Sequence, residues 1–499
     1  MNIPDDFIRY FHSAFVVPFP KRLLVVFSFI GFFFILSHFT VVSKFVKQPI
    51  ARYYRLFLCA ILFLGIFLRV FWCVAMPTYF ENNFANSLTC DESDRMAIYS
   101  YQIYKQGIPT EEDGSLSVRR PVGYPYLMGG LYRLLGYRPN LFKIVQIAAD
   151  SFLIILAFFL AQSLFQNYTI SIPIAFLFAI YPLNWLSTGV FLDEFLFFPA
   201  WFAALYFISE NIRKKEVKRT VLIGLLLGLA TAFRTIALHT PLLVFIVYLI
   251  QRTSYLKAIR KTIFCYVIIY AVNAPWALIT YQHYGVPCFF SNANACFYGT
   301  LNDRAGWGNG SSLAEVDNVE FVNEKNPVKQ ISMGVRLAAE WVIKNPSKAA
   351  RFFVFRTFQM YGFNHEDEVL ERHTIHFRKG VKLSEERRSF IAKYKNWAYS
   401  FVAILGLLGF FVFLWKRRIF FLRFPGLLLL FLICAYWILV FGFWYGYRKY
   451  RWPIELILIY PSAFFLYWIA SLRINLPLRL FGLFDSKADH RKEFQKQIR

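Results

Sequence analysis

Apolar runs close to the length of a bilayer crossing recur along this chain, broken by short polar or strongly basic connections. Such runs lie at about 23–43, 56–76, 141–163, 170–188, 190–208, 220–236, 238–251, 262–281, 396–415, 424–444 and 453–471. The runs 220–236 and 238–251 are short. The stretch 122–138 is apolar but shorter still and carries Arg133, which fits a re-entrant or interfacial segment better than a crossing. Helical spacing of apolar positions returns in 330–360, most clearly over 333–344, where Pro346 closes the run. The pattern predicts an all-α polytopic integral membrane protein of about 11 to 13 spans, with a small α or α/β cap domain outside the membrane. Composition agrees: 57% of residues are hydrophobic and 59 are Phe, too much apolar surface for a water-soluble fold to hide.

The polar connections set the orientation. Lys44, Lys47, Arg52 and Arg55 occupy one connection without an acid, and Arg213, Lys214, Lys215, Lys218 and Arg219 another. Arg252, Lys257, Arg260 and Lys261 make a third, and Lys416, Arg417, Arg418 and Arg423 a fourth. Alternating the spans puts all of these and the basic tail on one side, expected to be the cytoplasm. The opposite side receives 77–140, locally acidic, and 282–395. The net charge of +25 therefore reads as topology signal and attraction to anionic headgroups. Nucleic-acid binding is disfavoured, because no basic stripe accompanies a soluble fold. Residues 1–22 carry Asp5 and Asp6 and no small-residue cleavage site follows, so no cleavable signal peptide is expected.

Candidate chemistry concentrates on the outer side. Asp91 and Glu92 stand just beyond the second apolar run, followed by Asp94 and Arg95 and a helix-like run through Met96, Ala97, Tyr99 and Ile103 to Gly107. Paired carboxylates at a membrane face suit acid–base work on a lipid-borne substrate; a solvated helix start is the competing reading. Arg119-Arg120-Pro121 and Gly123-Tyr124-Pro125 re-aim the chain, and the arginines suit either phosphate or interfacial anchoring. Tyr447-Arg448-Lys449-Tyr450-Arg451 opposes the positive-inside trend just before Pro453 and Glu455, which points to a lipid phosphate or pyrophosphate ligand. Asp150, Asp193, Glu194 and Arg234 lie within or at spans near the same face; they either converge on one site or lock the bundle by salt bridges, the latter preferred for Arg234. His365, Glu366, Asp367, Glu368, His373 and His376 match no trusted ligand spacing, so a solvated loop is favoured over a metal. Cys288 and Cys296 can pair in an oxidising compartment, and Asn309-Gly310-Ser311 is a sequon. No phosphate-cradling glycine loop of the nucleotide type is present.

In combination these residues resemble the GT-C glycosyltransferases, in the branch with the protein O-mannosyltransferases and the lipid A aminoarabinose transferase. The resemblance runs through Phe67-Leu68-Arg69, Asp91-Glu92 with Ala97 and Gly107, Arg120-Pro121-Val122-Gly123-Tyr124-Pro125, Asp150, and Gly228-Leu229-Ala230-Thr231-Ala232-Phe233-Arg234. It continues in Asn273-Ala274-Pro275-Trp276, Cys296-Phe297-Tyr298-Gly299, and Arg448-Lys449-Tyr450-Arg451-Trp452-Pro453-Ile454-Glu455. It implies inverting transfer of a sugar from a polyprenyl-phosphate donor on the outer side, with no metal required for the transfer. By that match Asp91 is the general base. Glu92 and Asp150 shape the acceptor side or orient Asp91, and Arg448, Lys449 and Arg451 neutralise the departing phosphate with Arg119 or Arg120 helping; Asp94 and Glu194 are further candidates for the acceptor side. Residues 1–53 add a span ahead of the family core, and Val122 replaces an expected small or proline-like residue.

The resulting domain plan is an extra span and basic loop (1–53), a transmembrane module with catalytic outer loop 77–140 (54–281), an outer domain (282–395), C-terminal spans (396–471) and a basic tail (472–499). Expected partners are the lipid-linked donor, a lipid, glycan or protein acceptor, and membrane lipids, in a bacterial inner membrane and its cell-envelope glycan biosynthesis. A transporter or flippase of a lipid-linked or anionic substrate is the rival class, but the chain lacks the internal repeats that class favours. A polysaccharide polymerase or ligase would use a pyrophosphate carrier, and the Asp-Glu pair in the first outer loop argues against it.

Overall fold

The computed structural model describes residues 9–75, 92–290, 295–305, 318–363, 385–415, 425–443 and 448–471, apart from 10, 17, 39, 112, 119, 139 and 215–218. The elements are α1 (Pro18–His38), α2 (Thr40–Ala75), α3 (Glu92–Gln106), α4 (Gly123–Leu135), α5 (Leu141–Phe165), α6 (Tyr168–Ile180), α7 (Pro182–Leu186), α8 (Glu194–Lys214), α9 (Thr220–Phe233), α10 (Thr240–Ile250) and α11 (Tyr255–Tyr284). After them come α12 (Ala295–Thr300), α13 (Val319–Asn323), α14 (Pro327–Lys344), α15 (Pro346–Tyr361), α16 (Glu385–Trp415), α17 (Pro425–Phe443) and α18 (Trp452–Ser471). Short 3-10 turns cover Thr235–His239 and Arg448–Arg451.

The chain is an all-α polytopic membrane protein, with eight helices among the described residues long and apolar enough to cross a bilayer. The outward faces show what solvent they meet. Leu56, Phe63, Phe67 and Phe71 of α2 are all more than half exposed, a cost in water that disappears against lipid tails. Inside, close backbone approach does much of the packing. A Cβ on Gly228 would come within 2.8 Å of Val272, so this glycine lets α9 lie directly on α11; Asn273 then donates to the Gly228 carbonyl at 3.2 Å.

Side-chain ties sort the helix ends into two groups. At one end Arg69 meets Asp150, Arg234 meets Asp193 and Glu194, Trp452 donates to Asn184, and Arg451 donates to the Gly362 carbonyl. At the other, Ser163 meets Ser209 at 2.9 Å, Arg219 covers the Phe207 ring and Lys261 covers the Tyr248 ring. That second end carries the basic connections; the first is called the outer end here.

Several expected boundaries move. Lys44 to Arg55 are helical rather than a loop, within an α2 that reaches back to Thr40 and is interrupted only at Tyr53 (φ −114°, ψ 24°). Residue 395 is no domain boundary, because α16 runs unbroken from Glu385; hydropathy sees only the apolar part of a helix that projects beyond the membrane. The described cap is helical, and the only β pairing among the described residues is an isolated bridge between Thr110 and Leu116. Asn326 starts α14 by accepting from the Val328 and Lys329 amides, with Pro327 at the first helical position, and α14 turns into α15 at Asn345-Pro346. Arg356 fastens α15 down, donating to the carbonyls of Phe443 (2.9 Å) and Thr300 (2.7 Å). In the cap, Asp303 accepts from the Trp341 indole and from Lys348, each at 3.2 Å; these bonds hold its carboxyl below the ordinary range.

Candidate functional site

The first outer segment folds as two short helices with a tied loop between them. Tyr99 and Ser117 both donate to Glu111, at 3.1 and 2.5 Å, and Gln102 bonds the Thr110 backbone through both its amide oxygen and its nitrogen. The loop so fixed delivers Arg120 to the start of α4. Contacts then give the direction of the pair: Gly129 of α4 rests on Ser100 and Ile103 of α3, while Arg133, one turn on, reaches the Tyr104 carbonyl and Gly107. The two helices therefore run the same way, and the start of α3, at Glu92, lies alongside the start of α4 at Gly123. A Cβ on Gly123 would come within 2.8 Å of the Ala232 backbone, so only glycine allows α4 to begin against the end of α9.

Two residues beyond Ala232, Arg234 breaks α9 with extended backbone (φ −147°, ψ 119°). Its guanidinium reaches Asp193 at 3.2 Å and Glu194 at 2.5 Å. All three are largely buried, and Glu194 Oε2 has no hydrogen-bond partner among the described residues. A buried carboxylate oxygen left unsatisfied is costly. The strand-like approach to Asp193 is stitched to α4: Tyr124 donates to Gln146 at 3.0 Å, Gln146 donates to the Val190 carbonyl at 2.7 Å, and the Tyr124 ring meets Phe191 edge-on.

A second charged cluster lies beyond Trp452, whose ring packs on Phe195 and Phe198 of α8. Arg451, 2% exposed, donates to Glu455 one turn along α18 and to the Gly362 carbonyl at 2.7 Å, and its guanidinium stacks 3.6 Å from the Tyr399 ring centre. Tyr181 donates to the other oxygen of Glu455 at 2.5 Å. Arg451, Glu455, Tyr181 and the buried Lys395 line a small cavity of about 10 Å³. Arg22 of the extra first span joins this corner, donating to the Phe363 carbonyl and to Ser400, both at 2.5 Å.

The expected site residues therefore divide. Glu194 joins Asp193 and Arg234 beside the α3–α4 start, and Arg234 makes the bundle-locking bridges expected of it. Asp150 is drawn elsewhere: fully buried, it accepts from Arg69 at 2.6 Å, and Arg69 also donates to the Gly65 and Ala179 carbonyls. That pair ties α2, α5 and α6, a structural post rather than an acceptor contact. Arg451 is likewise committed to partners inside the protein, so it positions the Arg448–Arg451 turn instead of projecting from it. Arg120 is half-buried. Asp91 and Arg119, the side chains of Glu92, Asp94, Arg448 and Lys449, and the His365 to His376 group lie outside the described residues. Cys288 is a free thiol, not a half-cystine; burial pushes it up to about 11 and Sγ points to the Phe290 carbonyl. Sequence reasoning passed over Lys395 and Arg22. Both left a signal, since each is a basic residue directly preceding an apolar run on the outer side.

No family model and no curated relative matches the sequence at a significant level. Among solved structures the chain is similar to the archaeal oligosaccharyltransferase AglB from Archaeoglobus fulgidus, determined in complex with an inhibitory peptide and a dolichol-phosphate. The match has a TM-score of 0.49 and 13% sequence identity, and covers 90% of this chain and 54% of that one, so this chain spans about half the length of the archaeal protein.

Proposed function

We propose that this chain is an inverting glycosyltransferase that moves a hexosyl or pentosyl group from a polyprenyl-phosphate donor to an acceptor hydroxyl at the outer end of the bundle. Asp91, directly before α3, takes the proton of the acceptor hydroxyl as its oxygen attacks the anomeric carbon. The carbon–oxygen bond to phosphate breaks, and the polyprenyl phosphate leaves with the bonding pair. Glu92 and Glu194 stand on the acceptor side. Arg448 and Lys449, on the turn that Arg451 anchors, neutralise the leaving phosphate, with Arg119 or Arg120 assisting.

The observation that carries this reading is the meeting of three chain segments at the outer end. The start of α3 lies beside the Arg120–Gly123 turn, and that turn lies against the Arg234–Glu194 bridge with its unsatisfied carboxylate oxygen. Such a place suits a hydroxyl that donates to Glu194 and gives its proton to a base at the head of α3. The basic corner around Arg451 follows within one aromatic layer, Phe195 and Trp452. A base at one edge and cations at the other is the arrangement that transfer with an anionic leaving group requires.

The test is product identity in sealed proteoliposomes supplied with radiolabelled polyprenyl-phosphate sugars and membrane extract. Transfer of label to an acceptor with stoichiometric release of free polyprenyl phosphate, unaffected by EDTA, is the expected result. Movement of intact donor between leaflets without release would make the protein a flippase and remove the transferase reading.

A further inference from the structure

The last carbonyls of a helix have no partner within it. At the end of α15 and just beyond it, four successive carbonyls are taken by side chains from elsewhere. Arg451 donates to the Met360 carbonyl at 3.5 Å and to that of Gly362 at 2.7 Å. Tyr399 of α16 donates to the Tyr361 carbonyl at 2.9 Å, and Arg22 of α1 to the Phe363 carbonyl at 2.5 Å. Two cations so placed also suit the negative end of the helix dipole. The Arg22 guanidinium further reaches Ser400 at 2.5 Å and the Asn396 carbonyl at 3.2 Å, both on α16. It lies 5.6 Å from the ring centres of Phe363 and Trp397. Further along the same face of α1, Val26 is fully buried and Phe29 meets Phe401 of α16 edge-on at 4.8 Å. The first span is therefore keyed to α15 and α16 by a buried charge, which contact with lipid alone does not require.

Arg22 and Arg451 thus hold neighbouring carbonyls of one peptide segment, and neither can shift without moving the other's acceptor. We propose that Arg22 is a positioning residue for the donor-phosphate turn. Through Phe363 and Gly362, the first span fixes the backbone on which Arg451 seats the Arg448–Arg451 turn. What the turn does is taken from the transferase reading; how it is held is independent of that reading. Arg22 acts through this backbone and not on the substrate. Its loss takes a donor from the Phe363 carbonyl, loosens the Gly362 acceptor of Arg451, and frees the turn to sample other positions. Donor affinity then falls. The proposed base stands on a different segment, ahead of α3, so kcat is largely retained.

Arg22→Met tests this by two readouts on the full-length protein in lipid: amide hydrogen exchange, and turnover with a polyprenyl-phosphate sugar. Exchange at 360–363 and 448–451 should quicken, while α11, which packs on α9 and α10, keeps its wild-type rate. Donor KM should rise about tenfold, the effect of one lost charge-assisted hydrogen bond, with kcat nearly unchanged. Arg22→Lys, which keeps a cation for the Phe363 carbonyl but lacks the fork, should recover part of both effects. Ser400→Ala removes one acceptor and leaves the charge; it should move both readouts the same way by less, and serves where Arg22→Met does not fold. Unchanged exchange at 448–451 in these variants, or an unchanged donor KM, would overturn the proposal. So would exchange raised equally in α11, because Arg22 would then only stabilise the bundle. A wild-type protein without turnover would remove the transferase reading, and exchange at 448–451 would still decide whether Arg22 holds the turn.

Discussion

At the residue scale, the charges inside the bundle do two different jobs. Arg69–Asp150 is satisfied from every side, by the ion pair and by backbone carbonyls. Breaking such a buried pair leaves one charge without a partner and costs about 3–5 kcal/mol, whereas replacing both members by apolar groups is close to neutral. Arg69→Met should therefore lower thermal stability sharply in detergent, and Arg69→Met with Asp150→Leu should recover most of it. If Asp150 is the structural post its contacts indicate, the double variant also keeps donor turnover. A stable double variant without turnover would return Asp150 to the acceptor site. Glu194 is the contrasting case, because its second oxygen is buried with no hydrogen-bond partner among the described residues.

At the scale of elements, the seat of α4 on α9 controls how the outer segment meets the membrane. Gly123→Ala puts a methyl group against the Ala232 backbone, which cannot retreat without moving Arg234. Over-packing of this kind costs about 1–3 kcal/mol. Turnover should fall by more than stability explains, because the start of α3 shifts with α4; an unchanged kcat would show that the seat does not position the site. The cap gives a pH-dependent element. Asp303 titrates below its ordinary value of 3.8 because the Trp341 indole and Lys348 favour the carboxylate. Its contribution is thus complete above that value and disappears on acidification through the lowered one. Trp341 fluorescence should stay flat from neutral pH down to that point and change below it, and Asp303→Asn should abolish the change. The effect is small, because Asp303 is largely exposed.

At the scale of the molecule, the apolar runs foretold the crossing helices well, including the break between 220–236 and 238–251 that the structure places at Arg234. Hydropathy marks bilayer residence, so it reads spans accurately but misses helix that continues into polar sequence, as at Glu385–Lys395 and at Lys44–Arg55. The candidate site was legible as a set of residue types on one side. Which carboxylates are bound to arginines inside the bundle was not, because Asp150 and Glu194 look alike in sequence; their partners Arg69 and Arg234 come from 81 and 40 residues away. Burial of basic residues such as Lys395 and Arg22 was equally invisible, since it depends on three-dimensional neighbours. The alternation of spans nevertheless put Asp150, Glu194 and Arg451 at one end, and the proposed transfer depends on such a placement.

The measurement that bears most directly on the account is release of free polyprenyl phosphate from a labelled polyprenyl-phosphate sugar by wild-type protein and by Asp91→Asn, with donor binding followed in the same samples. The account predicts wild-type release, a fall of about 100- to 10,000-fold in Asp91→Asn as expected for loss of a general base, and unchanged donor affinity. Wild-type rates in Asp91→Asn would contradict it.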